Sequence, residues 1–220
     1  MKSLVLPDDH KLCTSTLLAE LSKQGLNHVE RGVLHVGAHQ GEEVPYYKKY
    51  GFERICLIEA NPSLAQEMKT RFVAQPEIDI HSVAISNISG TSKFNIHQTE
   101  KGSVESSSLL PLKELGNIVS GFNSEYVLDV PTETLDNFAS QYNLYPMVGL
   151  LVLDIQGAEM LALEGAKRLL QTVEAVICEV NLIENYAGCP QEKDIDNYFA
   201  AHGFNKVLAI YHELYDATSR

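Results

Sequence analysis

The sequence predicts an α/β fold, a doubly wound and mostly parallel sheet with helices on both faces and an extended segment inserted after the third strand. Three observations predict it. Short apolar runs alternate with amphipathic stretches along most of the chain, the rhythm of strand–helix–strand units. The run Val33-Leu34-His35-Val36 ends in the glycine turn Gly37-Ala38-His39-Gln40-Gly41-Glu42. A second apolar run closes at Leu57-Ile58-Glu59, the roughly twenty-residue interval at which an acid can accept hydrogen bonds from ribose hydroxyls.

The elements follow in order. Residues 1–30 form a lead-in with one helix over 16–24, stopped near Gly25. Residues 33–36 give the first strand. Residues 43–50 give a helix that tolerates Pro45 near its start and ends at Gly51. The second strand covers 54–58. Asn61 and Pro62 mark a helix start, as N-cap and first helical residue, and that helix runs to about Val73. A third strand covers 78–85. Residues 86–130 break the rhythm with Ser86-Asn87, Ser89-Gly90, Lys101-Gly102 and Ser106-Ser107-Ser108. Extended segments are expected there at 93–97 and 126–130. A short helix follows Pro131 over 135–142, then a strand over 149–153 ending at Asp154. Residues 158–170 read as one amphipathic helix, with Leu161, Leu163, Ala166, Leu169 and Leu170 apolar. A strand over 175–178 ends at Glu179. A helix over 192–202 closes at Gly203, and the last strand covers 206–211. The main domain is expected to span 31–220, with 86–130 as its substrate-side insertion.

Composition narrows the function classes. The chain has 220 residues, 45% of them hydrophobic and 21% charged, which suits one domain with a sizeable core. A net charge of −12 repels phosphate backbones, and Lys48-Lys49 and Lys167-Arg168 read as solvated helix faces, so no nucleic-acid partner is expected. No apolar run is long enough to span a membrane, and residues 1–20 lack the layout of a secretory signal. Cys13, Cys56, Cys178 and Cys189 match no metal or redox spacing. A reducing cytoplasm is the expected compartment. The oligomeric state is not legible.

Parallel sheets bind ligands beyond the carboxyl ends of their strands. There the topology gathers Gly37-Ala38-His39, Glu59-Ala60-Asn61, Ser86-Asn87, Asp154-Ile155-Gln156 and Glu179-Val180-Asn181. The dinucleotide fingerprint asks for glycines at the first, third and sixth turn positions. Here those positions hold Gly37, His39 and Glu42. An acid at the third of them repels a pyrophosphate. A ribose-bearing cofactor without phosphates fits better, and S-adenosylmethionine is the common one.

The second dense motif is Leu151-Val152-Leu153-Asp154-Ile155-Gln156-Gly157-Ala158-Glu159. With the glycine turn it resembles the FkbM-type methyltransferases, a branch of the Rossmann-like class I methyltransferase fold. Ser107-Ser108-Leu109, Thr134-Leu135-Asp136 and Gly165-Ala166 resemble the family's middle motifs in the same order. Four positions depart from the pattern. His35 stands for an Asp, His39 for an Asn, Val152 for a Lys and Gln156 for a Glu. The resemblance implies that His35, Gly37, Ala38, His39 and Gly41 wrap the methionine part of S-adenosylmethionine. It implies that Glu59, with Ala60 and Asn61, holds the ribose, and that Ala84, Ile85 and Ser86 border the adenine. It also implies that Asp154 faces the transferred methyl group. Ser107, Ser108, Gln156 and Glu179 fall on the acceptor side.

The expected activity is methyl transfer to a hydroxyl of a small molecule, sugar or glycan. Transfer needs alignment of oxygen, carbon and sulfur and a base for the hydroxyl proton. Asp154 and Glu159 are the two candidates for that base, and the sequence does not separate them. No metal is expected, although carboxylates at 154, 159 and 179 would suit a hard cation. The competing readings are a nicotinamide-dependent oxidoreductase and a module that binds the cofactor without chemistry.

Overall fold

A computed structural model describes residues 3–5, 10–25, 31–99, 102–115 and 122–211. Residues 26–30 of the lead-in, Lys101 of the expected turn, 116–121 of the insertion and 212–220 of the main domain lie outside the described residues.

Two short strands, β1 (Ser3–Val5) and β10 (Ala209–Tyr211), pair in parallel apart from the main sheet. The main sheet holds β2 (Gly32–Val36), β3 (Ile55–Glu59), β4 (Ile78–Ser82), β8 (Val148–Leu153) and β9 (Ala175–Cys178). All five are parallel, in the order β4-β3-β2-β8-β9. The strand order reverses between β2 and β8, so the cleft between their carboxyl ends is the topological switch point.

β2, β3 and β8 are buried along their whole length, which is why they read as unbroken apolar runs and not as alternating ones. Their side chains divide between two cores. Leu34, Val36, Cys56, Ile58, Leu151 and Leu153 pack with Phe138, Leu163 and Ile195. Those three partners come from α4 (Leu135–Gln141), α5 (Glu159–Glu164) and α6 (Glu192–Ala201). Val33, Ile55, Leu57, Leu150 and Val152 pack on the opposite face with Leu18, Tyr47 and Met68. These belong to α1 (His10–Lys23), α2 (Val44–Lys49) and α3 (Pro62–Arg71). Helices thus cover both faces. Each fully buried aliphatic side chain contributes about 1.5–3 kcal/mol.

Several boundaries differ from the sequence expectation. The strand expected over 78–85 is two strands. After β4 the Val83 N–H donates to the Glu59 carbonyl at 3.2 Å, and the chain then leaves the sheet. β5 (Ala84–Ile85) pairs instead with β7 (Phe122–Glu133). β7 runs antiparallel to β6 (Gly90–Thr99), so the segments expected at 93–97 and 126–130 are the middles of a long hairpin. Phe94, Ile96 and Val130 of this hairpin close a small core over Ala84.

The helix expected over 158–170 stops at Glu164. Gly165 is its C-cap, where a Cβ would lie 2.6 Å from the Ser86 carbonyl oxygen, so only glycine fits at that end. A separate 3-10 turn, Leu169–Gln171, follows. The Asp136 carboxylate starts it by accepting from the Arg168 and Leu169 N–H groups at 2.9–3.1 Å. The first helix begins at His10, earlier than the expected residue 16. The last strand is shorter than 206–211, and its partner is β1 and not the main sheet.

Candidate active site

A cavity of about 300 Å³ opens at the carboxyl ends of β2, β3 and β8 under the hairpin. The glycine turn forms one wall. Gly37 has φ +85°, and its N–H donates to the Ile58 carbonyl at 2.9 Å. A Cβ at Gly37 would lie 1.7 Å from the Asp154 carbonyl oxygen, so the first loop touches the second backbone to backbone. Gly37 lines the cavity, and its tightest neighbour is the protein's own strand end. Gly41, at φ +75°, faces Phe72 and Met68. Ala38 is fully buried beneath the turn. Neither Ala38 nor Gly41 lines the cavity.

Glu59 ends β3 at the cavity wall and is 7% exposed. Its Oε2 accepts from the His39 N–H at 2.8 Å, and its Oε1 accepts from the Asn61 N–H at 2.7 Å. Burial pushes its carboxyl up to about 7, outweighing those two hydrogen bonds. Asn61 accepts from the Ser63 N–H at 3.0 Å and so caps α3, as its pairing with Pro62 predicts.

His39 adopts φ +46°, and its Nδ1 lies 2.9 Å from Glu42 Oε1. Burial opposes charge on both side chains, but their hydrogen bond wins: His39 is held above and Glu42 below its ordinary value. The other Glu42 oxygen accepts from the Gln40 N–H at 3.1 Å. A carboxylate of the chain itself thus sits in the turn where a pyrophosphate would lie.

His35 is buried on β2, with Nδ1 3.0 Å from the Tyr47 hydroxyl. Burial lowers its imidazole to about 4, against the attraction of Asp154 and Glu42, so it is neutral at physiological pH. Its Nε2 is buried without a partner among the described residues, and the residue lines the cavity.

Ala60, Ala84 and Ile85 line the cavity beside Phe94, Val83 and Leu64. Ser86 does not reach it. That residue is buried behind β5, with its N–H on the Glu133 carbonyl at 2.9 Å.

Asp154 and Gln156 line the opposite wall; Glu159 and Glu179 do not line it but hold it, Glu179 through the Gln156 amide and Glu159 through the Ile155 and Gly157 N–H groups. Glu159 is 1% exposed, and its Oε1 accepts from the Ile155 and Gly157 N–H groups, each at 3.1 Å. Burial pushes it up to about 7 despite those bonds. Burial, then the Asp154 and Glu159 charges, hold Glu179 well above the carboxylate range. Among the described residues no three His, Cys, Asp or Glu side chains are arranged to hold a metal ion.

The hairpin connection closes the cavity. Ser107 lines it and donates to the Val104 carbonyl at 2.7 Å. Ser108 does not line it. Its hydroxyl donates to the Gln156 carbonyl at 2.8 Å and ties the insertion to the second loop. Sequence reasoning missed Phe94, Val104, Glu105 and Leu109 as lining residues and Tyr186 as a support. The long connection between β9 and α6 was the one available signal for Tyr186, because loops of that length in compact domains often carry function.

A parallel sheet with a glycine turn and a buried acid at its switch point defines a Rossmann-like domain of the methyltransferase type. The sequence matches the Methyltransferase FkbM domain over residues 35–206, and the chain belongs to that family. A solved structure, methyltransferase FkbM from Methylobacillus flagellatus KT, is similar at 17% identity with a TM-score of 0.39. The alignment covers 66% of this chain and 32% of that one, so the chain spans about a third of that protein's length. No curated protein matches. Among the described residues no helix is long and apolar enough to cross a membrane.

Proposed function

We propose that this chain is an S-adenosylmethionine-dependent methyltransferase acting on a hydroxyl oxygen of a small molecule, sugar or glycan. The observation that carries this reading is the Glu59 carboxylate in the cavity wall. Two backbone N–H groups occupy two of its roughly four lone-pair sites, which leaves acceptors for a pair of ribose hydroxyls.

The residues fit the cofactor in three further respects. The Glu42 carboxylate disfavours phosphates at the turn. Ala84, Ile85, Leu64 and Phe94 offer an apolar slot for a base. His35 Nε2 leaves a buried polar atom for the amino-acid end.

The cofactor, when bound, supplies an electrophilic methyl group. The turn carrying Gly37, Ala38, His39 and Gly41 holds the methionine part, and Glu59, Ala60 and Asn61 hold the ribose. Ala84 and Ile85 flank the adenine, and Ser86 supports them from behind. Asp154 takes the proton of the acceptor hydroxyl as oxygen attacks. Glu159 is the poorer candidate for base, because its carboxylate is spent on holding the Ile155 and Gly157 N–H groups. Its role is to fix the loop that carries Asp154. Ser107 and Gln156 face the acceptor, with Ser108 bracing the loop and Glu179 acting from behind through the Gln156 amide. Free thiols at Cys56, Cys178 and Cys189 suit a reducing cytoplasm.

Titration calorimetry with S-adenosylmethionine, S-adenosylhomocysteine and NAD tests the reading. Binding of the first two without NAD is expected. NAD binding without either of the others overturns it in favour of an oxidoreductase. A labelled-methyl screen of sugars and hydroxylated metabolites then finds the acceptor. Cofactor binding with no transfer to any of them would indicate a binding module.

A further inference from the structure

Gln156 stands at a convergence of hydrogen bonds. Its backbone takes a left-handed φ of +56°, a conformation disfavoured for any residue with a Cβ. The surroundings hold it there. Ser108 donates to its carbonyl at 2.8 Å. Gly157 beside it, at φ +94°, packs so tightly on Tyr186 and Cys189 that a Cβ would meet each at 2.9 Å.

The Gln156 side chain is fully engaged. Its amide nitrogen donates to Asp154 Oδ1 at 2.9 Å and to Glu179 Oε2 at 2.8 Å. Its Oε1 accepts from the Tyr186 hydroxyl at 2.8 Å, and that hydroxyl also lies 3.1 Å from the Ser106 carbonyl oxygen. The amide cannot turn over without facing its oxygen to two carboxyl groups. One amide nitrogen thus gathers an oxygen of Asp154 and an oxygen of Glu179 on a single donor group. Two carboxyl groups held that close repel as like charges when both are ionised, which favours one proton between the two.

We propose that Gln156 is a positioning residue that locks Asp154 and Glu179 into one acid pair holding a single proton between them. This rests on the reading of Asp154 as proton acceptor and names the unit that performs the task. Burial and the charges of Asp154 and Glu159 favour the proton on Glu179. The other titratable groups around the pair are Glu159, Cys178 and Tyr186, with Asp196 facing Cys178 and His35 facing Asp154. In the transfer step the acceptor oxygen bonds to the methyl carbon as the carbon–sulfur bond breaks, and sulfur keeps that electron pair. The hydroxyl proton passes to the singly protonated pair. The doubly protonated pair returns its extra proton to solvent after product leaves.

Infrared spectroscopy of the full chain at neutral pH tests the shared proton without ligand or activity. A protonated-carboxyl stretch is expected that disappears in Glu179→Gln and shifts in Gln156→Asn. Asparagine keeps the amide and tolerates the left-handed backbone but is one methylene too short to reach both acids. A wild-type spectrum with no band sensitive to Glu179→Gln overturns the shared proton, whatever the protein methylates. Once an acceptor is in hand, Gln156→Asn and Gln156→Glu should each move the acidic limb of the kcat profile to higher pH. Loss of the amide donor, or an added carboxyl, raises the pH at which the pair gives up its first proton. In both variants kcat should fall about tenfold or more, with KM for S-adenosylmethionine little changed. An unmoved pH profile in both folded variants overturns the positioning role.

Discussion

Glu59 serves two structural partners with one carboxylate, the turn through His39 and the start of α3 through Asn61. Its replacement by glutamine turns one acceptor into a donor facing a backbone N–H. Glu59→Gln should weaken S-adenosylmethionine binding by on the order of tenfold or more in calorimetry, the size of a hydrogen bond to a charged group. Unchanged affinity would remove Glu59 from the cofactor site. Ribose hydroxyls donate to the ionised form, whereas burial pushes the Glu59 carboxyl up to about 7. Affinity in the wild type should therefore rise as pH climbs through that value, with proton release visible as a buffer-dependent heat. Gly37 carries a different expectation. A methyl group at that position collides with the Asp154 carbonyl, so Gly37→Ala should lower Tm sharply before any ligand is added. A melting curve matching the wild type would contradict the contact. Glu59, Asn61 and Pro62 were legible in the sequence because their partners lie within a few residues or at a fixed interval. Tyr186 and Glu105 were not, because long-range chain folding alone brings them to the cavity.

The break after α5 shows what periodicity cannot report. Residues 158–170 carry a helical apolar spacing, yet the chain turns at Gly165 and restarts at Leu169. The spacing survives because both pieces bury the same face, with Ala162, Leu163, Leu169 and Leu170 in one core. The decision lies with Asp136, whose carboxylate takes the Arg168 and Leu169 N–H groups from thirty-odd residues away in sequence. Tyr145 adds a hydroxyl to the same carboxylate at 3.1 Å. Asp136→Ala should cost about 1–2 kcal/mol, the usual effect of losing a helix cap. That corresponds to a Tm drop of about 2–4 °C for each kcal/mol in a domain of this size. A change of under about 0.3 kcal/mol in a denaturant titration would show that the turn stands without its cap. The split of β4 from β5 had the same origin. Ile78 to Ile85 reads as one apolar strand, and only pairing with a distant hairpin divides it.

At the scale of the whole molecule, several buried groups titrate together. Glu59, Glu159 and Glu179 all bind their protons more tightly folded than unfolded. A raised folded value contributes stability below the ordinary carboxyl range that is lost as pH rises through about 7. His39, also raised, acts in the same direction. His35 acts in the opposite direction. Its lowered value withdraws stability as pH falls from 6.5 toward about 4. Above 6.5 the carboxyl groups act without that opposition, so Tm of the ligand-free protein should fall between about pH 6.5 and 8. A flat or rising Tm over that interval would contradict the burial of these acids as uncompensated. The contact between Gly37 and the Asp154 carbonyl also couples the two sides of the cleft. The two walls are joined through main-chain atoms, so a shift of the strand end bearing Glu59 is passed to the one bearing Asp154. The span from Val104 to Leu109 is tied to the same frame through the Ser108 and Tyr186 hydroxyls, so strain at one rim of the cleft is felt at the other.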